Sequence, residues 1–233
     1  MTATGVPADI RSRMANSGWL AGTPADFRDA VLGHALVRRY GPDDTLHSEG
    51  DQSGGMYGVA AGTIRLLLSA AEHGPYCGHL LQPGQWAGDG PTIAGSARLV
   101  TLVCSGQSTV LFLSRTAIMK IEAMDPSYWR YFMASMNISL GLALGAIADL
   151  MLRDHRKRLV AVLLRIAGIR GGASTEAPID VEVSQSDLAT MANVTRTTAA
   201  ATLRLLVRDG LVSTGYGRIT ILAPARLHAR IAD

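Results

Sequence analysis

The stretch from Ser184 to Val207 constrains this chain more than any other. Its pattern predicts two short helices joined by a tight turn. Ser184 is placed to cap the first helix, and Asp187 comes three residues later, the spacing of a capping box. Leu188, Ala189 and Met191 give that helix a small apolar face. Ala192-Asn193-Val194 reads as the turn, with Asn193 where a positive φ is wanted, a region that Asn tolerates better than most residues. Thr195 can cap the second helix, in which Leu203, Leu206 and Val207 recur at helical spacing. The opposite face carries Arg196, Thr197, Ala200, Ala201 and Arg204. Small, polar and basic side chains on one helix face suit entry into a DNA major groove.

The residues after Val207 agree with that expectation. Arg208-Asp209-Gly210 ends the helix, Leu211-Val212 starts a strand, Gly215-Tyr216-Gly217 turns, and Arg218 to Leu222 returns as a second strand. Such a hairpin is the wing of a winged helix-turn-helix. An ordinary helical hairpin in a core is the blander alternative, but cap, turn, basic face and wing falling in order argue against it. Charge is distributed to match. From Arg153 onward there are 12 Lys and Arg against 7 Asp and Glu, whereas residues 1–152 hold 10 against 12. The basic end is the end with the helix-turn-helix, as a DNA-binding module needs. Thr195 and Ser184 at helix N-termini, and Arg218 in the wing, are expected to hold phosphates.

The first half has a different texture. Pro24 to about His34 reads as a short helix. From Tyr40 to Leu113 glycines punctuate short apolar runs, with Met56–Ala60, Thr63–Leu68, His79–Leu81 and Thr109–Leu113 the clearest strands. Short strands with glycine turns at this spacing predict a β-roll or barrel. The first residues, MTATGVPADIRSRMANSG, lack the apolar core of a signal peptide, which gives a cytoplasmic expectation. Cys77 and Cys104 form no disulfide framework, and two cysteines cannot supply the four thiolates of an iron–sulfur cluster within one chain.

Three segments carry a resemblance to a known family: Glu49-Gly50-Asp51, then Met56-Tyr57-Gly58-Val59 with Gly62-Thr63-Ile64-Arg65-Leu66, then Pro83-Gly84-Gln85-Trp86-Ala87-Gly88-Asp89. They look like successive parts of a cyclic-nucleotide-binding domain. With the C-terminal motif the chain resembles the Crp/Fnr regulators of bacterial transcription from about Leu36 to Leu222. The resemblance implies a homodimer, a palindromic double-stranded DNA operator, and RNA polymerase as a partner. It also implies a phosphate-binding cassette: Gly-Glu, a short helix, then Arg and a small or hydroxyl residue. Gly88 matches the Gly, Asp89 stands for the Glu with one methylene fewer, and Arg98 comes one position early, with Leu99-Val100 after it. A cyclic nucleotide is therefore not the favoured ligand; the expectation is a pocket that keeps the fold and has lost or changed its effector.

Other candidate sites are weaker. Some family members ligate haem through Cys and His, and Cys77 and His79 alternate on a strand, so they can share a face. A strand cysteine and a surface histidine is the plainer reading. His47 and Glu49 raise a cupin-like metal protein, but no His-x-His occurs. No catalytic or metal-ligating residues are expected.

A helix is predicted from Asp125-Pro126 to about Arg153. It has no charge from Tyr131 to Ala148, long enough to raise a membrane span. Ser135, Asn137 and Ser139 interrupt the apolar run, and the flanks show no topogenic bias, so no membrane is expected. Met133, Met136, Leu140, Ala143, Ile147 and Leu150 fall three and four apart, a heptad seam fit for a dimer interface. Asp154-His155-Arg156-Lys157-Arg158 marks a hinge into a helix at Leu159–Gly168; the basic run could contact phosphate, but a solvated helix start is the plainer reading, and a linker is expected at 171–175. The sequence thus predicts an α+β chain: a cyclic-nucleotide-binding-like β-roll sensor domain (1–124), a dimerisation helix (125–152) and a winged helix-turn-helix (153–233).

Overall fold

The structure, a computed structural model, describes residues 5–70, 73–171 and 176–232. The chain divides into two compact units. One comprises residues up to Leu67 together with Leu81–Leu140, the other Leu68–Leu80 together with Gly141 onward.

The first unit opens with α1 (Ala8–Ala15), a 3-10 turn (Gly18–Gly22) and α2 (Ala25–His34). Strands β1 (Leu36–Tyr40), β2 (Thr45–His47), β3 (Gly55–Ala61), β4 (Ile64–Ala70) and β5 (His73–Leu81) come next, β4 from Leu68 and β5 up to Leu80 being counted with the second unit; then follow β6 (Trp86–Ala87), α3 (Asp89–Ala94), β7 (Thr101–Cys104) and β8 (Ser108–Ser114). They make two antiparallel four-stranded sheets, ordered β1-β8-β3-β6 and β2-β7-β4-β5. The β-roll expected from glycine spacing is thereby observed. Between the sheets lie Tyr57, Val59, Ile64, Leu102, Cys104 and Val110. A Cβ at Gly58 would collide with the Trp86 ring, so β3 needs glycine there for β6 to pack. The outer face of β3 and β8 supports a helical layer built on Met14, Leu20, Phe27, Leu32, Ile118, Ile121 and Phe132. Edge-on aromatic contacts, Trp19 on Phe27 and Phe27 on Phe132, add directional packing to the area buried.

Helix α4 (Arg115–Met124) is capped by Ser114, whose hydroxyl accepts the Ala117 amide. After the 3-10 turn Pro126–Tyr128 comes α5 (Trp129–Leu150), which passes through the division between the units at Leu140 and Gly141. It ends at Leu150, three residues short of the expected Arg153.

The second unit contains α6 (His155–Ile166), β9 (Ile179–Val181), α7 (Gln185–Met191), α8 (Arg196–Arg208), β10 (Val212–Gly215), β11 (Arg218–Ile221) and α9 (Pro224–Ala232). The helix after α5 begins four residues earlier than Leu159, and the basic run is its partly exposed start, as the solvated-helix-start reading has it. Asp154 caps α6 by accepting the Arg156 and Lys157 amides, so His155–Arg158 form its first turn. Leu159 to Leu164 and Ile166 are buried under α7, α8 and α9. Strand β9, not predicted from the sequence, pairs antiparallel with β11 and turns the wing hairpin into a three-stranded sheet. Of the expected linker, residues 172–175 lie outside the described residues.

Candidate DNA-recognition face and sensor site

Ser184 caps α7: its hydroxyl accepts the Asp187 amide at 3.0 Å and donates to the Asp187 carboxylate at 2.7 Å. Thr195 caps α8 by accepting the Thr198 amide at 3.1 Å. Between them Asn193 has φ 49°, the left-handed turn residue that its side chain suggested. Arg158, which the sequence places in a solvated basic run, fixes this turn from α6. Its guanidinium donates to the carbonyls of Ala192 at 2.6 Å, Asn193 at 3.3 Å and Leu152 at 2.8 Å. A charged donor on the open carbonyls at a helix end is a strong, oriented contact.

Helix α8 is two-sided, although Val207, expected on the apolar stripe with Leu203 and Leu206, is exposed. Ala199, Thr202, Leu203 and Leu206 are buried, while Arg196, Thr197, Ala201 and Arg204 are exposed and Ala200 is partly so. The expected recognition face is therefore presented outward. Thr195 is exposed and Ser184 half-buried. In the wing, Arg218 is exposed and lies 3.4 Å from the Asp180 carboxylate, which also accepts the Thr220 hydroxyl. Tyr216 at the wing tip is fully exposed, a position where the sequence showed only a turn.

In the first unit, α3 organises a cluster of buried polar side chains. Gly88 precedes it at φ 82°, and a Cβ there would stand 2.5 Å from the Arg98 guanidinium. Glycine thus lets Arg98 approach the backbone. Arg98, 3% exposed, donates to the carbonyls of Gly88 and Gly55 and to the Thr92 hydroxyl. Burial pulls its pKa below the ordinary arginine value. The structure therefore brings Gly88 and Arg98 together as the motif implied. Asp89 is also there, but its carboxylate is occupied. It accepts the Gly90 amide at 3.0 Å, the Ser135 hydroxyl at 2.8 Å and the Ser139 hydroxyl at 3.1 Å, the two serines projecting from α5.

Sequence reasoning missed a further member, His47 on β2. Its ring stacks on Tyr57 at 5.6 Å and 3° between planes, and is 7% exposed. Burial, assisted by the charge of Arg98 and opposed by Asp51, pushes its pKa down to about 4. The available signal is its place at the end of a short strand next to the Glu49-Gly50-Asp51 motif, where the sequence offers only a metal-ligand alternative. His79, expected at the surface, is buried as well. Arg165 of α6 lies 3.1 Å from its Nδ1, and Arg165 also donates to the buried Asp149 at 2.9 Å. Cys77 and Cys104 are both buried, as reduced thiols. Among the described residues no group of three or more His, Cys, Asp or Glu is arranged to hold a metal.

On α5, Met133, Leu140, Ala143, Ile147 and Leu150 are exposed or partly so, and Met136 is half-buried. With the preceding turn it is long and apolar enough to cross a membrane, with 11% of its most apolar window buried.

Comparison with known proteins bears on both regions. Residues 37–124 match the cyclic nucleotide-binding domain family, and residues 157–230 match the Crp-like helix-turn-helix domain family. A curated relative, the HTH-type transcriptional regulator Cmr of Mycobacterium tuberculosis, is 25% identical over 97% of this chain and 93% of its own length. The solved structure of FixK2 from Bradyrhizobium japonicum shares the fold, with TM-score 0.72 at 19% identity over 84% of this chain and 96% of that one. So does the c-di-GMP-responsive regulator CLP of Xanthomonas campestris, with TM-score 0.62 at 19% identity over 85% and 99%. With a cyclic nucleotide-binding domain ahead of a Crp-like helix-turn-helix, and a relative of the same kind along its length, the chain belongs to the Crp/Fnr family of transcription regulators.

Proposed function

We propose that the protein is a cytoplasmic homodimer that reads a two-fold DNA operator and whose sensor pocket has departed from the nucleotide-binding pattern. The observation that carries the reading is the sidedness of α8, with Ala199, Leu203 and Leu206 buried and Arg196, Thr197, Ala201 and Arg204 outward. Arg196 can bond a guanine bidentately, Thr197 can meet a thymine methyl, and Ala201 offers an apolar contact or space. Arg204 lies further along the same face. Thr195, Ser184 and Arg218 would serve phosphates.

Dimerisation through α5 accounts for its exposed apolar seam better than a lipid environment does, because the residues repeat at heptad spacing and serines interrupt the run. Two recognition helices related by a two-fold would meet half-sites about one helical turn apart. RNA polymerase is the partner expected of a regulator of this family.

Binding-site selection tests the reading. Arg196→Ala should cost about 1–3 kcal/mol and relax one base position per half-site. Leu140→Glu with Ile147→Glu should give monomers in sedimentation that no longer shift the selected duplex. Unchanged dimers would reject the α5 interface, and an unselective wild-type protein would reject operator recognition.

A further inference from the structure

Buried polar atoms without partners are rare in folded proteins, and each asks for an explanation. Among the described residues, Arg98 Nε and both ring nitrogens of His47 are such atoms. They belong to two side chains that are 3% and 7% exposed and come from separate segments, the loop after α3 and strand β2. Both lie against one ring: His47 stacks on Tyr57, and the Arg98 guanidinium carbon is 5.6 Å from the same ring centroid.

The chemistry of the pair is specific. Arg98 bonds two carbonyls and a hydroxyl, all uncharged, so its positive charge has no counter-ion in contact. A buried guanidinium in that condition favours an anion strongly. A neutral imidazole offers one N–H donor and one acceptor nitrogen. Asp51, the acid that acts on both, is exposed and makes no ion pair with Arg98. Meanwhile Asp89, at the position where the family resemblance implies an acid for the ribose hydroxyl, already accepts from Gly90, Ser135 and Ser139.

From this we infer that His47 is a ligand-contacting residue, and that Arg98 and His47 together hold a compact oxyanion bearing its own O–H, such as a phosphate monoester or a hydroxy acid. Arg98 Nε–H and the imidazole N–H donate to the oxyanion. The second imidazole nitrogen accepts from the ligand hydroxyl. A nucleoside cyclic phosphate lacks the acidic O–H and brings a ribose toward an Asp89 carboxylate that is already engaged. The inference rests on the proposal of a sensor pocket that has changed its effector, and it names the ligand class.

Calorimetry on the full chain with inorganic phosphate, glycolate and cyclic AMP tests it. Phosphate and glycolate separate the two sources of the oxyanion. At least one should bind with a Kd below about 1 mM, and at least tenfold more tightly than cyclic AMP. Arg98→Gln should abolish that binding. His47→Phe, which keeps a ring on Tyr57, should weaken it at least fivefold while the ligand-free melting temperature stays within a few degrees. Histidine-ring NMR on the unaltered protein guards against misfolded variants: the histidine that stays neutral down to about pH 4 should shift on titration with the binding acid. Binding of neither acid, cyclic AMP tighter than both, full affinity in His47→Phe, or an unmoved His47 signal would each overturn the inference. Gel shifts run alongside separate it from the DNA reading. Operator binding with no acid bound sinks the site and leaves the regulator standing, whereas acid binding without operator binding does the reverse.

Discussion

Two buried arginines, one in each unit, solve the same electrostatic problem differently. Arg165, 4% exposed, donates to Asp149, which is 1% exposed and takes a second cation from Arg170 at 2.8 Å. Asp149 comes from α5, Arg165 from α6, and His79 from β5 completes the cluster. Arg98 has no carboxylate at all; carbonyls and a hydroxyl take two of its nitrogens and the third goes without. Burying a charge is costly unless it is paired. A network of paired opposite charges needs no further counter-ion and holds three segments in register. An open cation beside an unpartnered imidazole is incomplete, and incompleteness at a buried polar site is what a binding pocket looks like before its ligand arrives.

The sharpest way to break the comparison is to remove one group from each. Asp149→Ala leaves Arg165 buried without its carboxylate and should cost about 3–5 kcal/mol in urea unfolding. Arg98→Met loses hydrogen bonds but also removes an unpaired charge, so its stability should stay within about 1 kcal/mol of wild type. Equal losses would mean that Arg98 is as structural as Arg165.

The next largest effect is one of pH. His47 has a folded-state pKa of about 4 against an ordinary 6.5. Between those values the unfolded chain takes a proton that the folded chain refuses. Stability present above pH 6.5 is therefore lost as the pH falls toward 4, by up to about 3 kcal/mol. His47→Phe should flatten that part of the pH–stability curve. Arg98→Gln should flatten it partly, because burial is the main cause of the depressed pKa and the charge of Arg98 comes second. A curve unchanged by His47→Phe would show that the imidazole is not held neutral.

The two regions also differ in how much of them the sequence disclosed. The helix-turn-helix was legible because its determinants are local: Ser184 and Thr195 as caps, Asn193 as the left-handed residue, Leu203 and Leu206 on one face. The wing hairpin was legible for the same reason, but β9 was not, since its pairing joins Ile179–Val181 to β11 across both helices of the motif. Gly88, Asp89 and Arg98 could be placed by motif, yet nothing nearby in sequence shows that Asp89 is satisfied by serines 46 and 50 residues away. Ser135 and Ser139 stand out in the sequence only as breaks in an apolar run. Their separation of four puts them on one helix face, which signals a shared partner without naming it. His79 meets the same limit. Alternation puts it on a face with Cys77, but its burial depends on an arginine 86 residues later.

A third arginine gives the smallest effect and places the other two on a scale. Arg218 and Asp180 are 59% and 57% exposed, at 3.4 Å in the wing sheet. Water screens such a pair, and its worth to folding is about 0–1 kcal/mol. Arg218→Ala should therefore leave the unfolding midpoint nearly unchanged. Its consequence should fall on DNA instead. If Arg218 meets a phosphate, Arg218→Ala weakens all duplexes alike and lowers the salt slope by about one unit. Asp180 competes with that phosphate for the guanidinium, so Asp180→Asn should do the opposite, tightening binding to every sequence with no change of base preference. Fluorescence anisotropy on selected and scrambled duplexes over a salt series reads both. A base preference altered by Arg218→Ala would put the wing against base edges rather than the backbone. An Asp180→Asn variant that binds no better would show that the surface pair exerts no hold on Arg218, in contrast to the grip of Asp149 on Arg165.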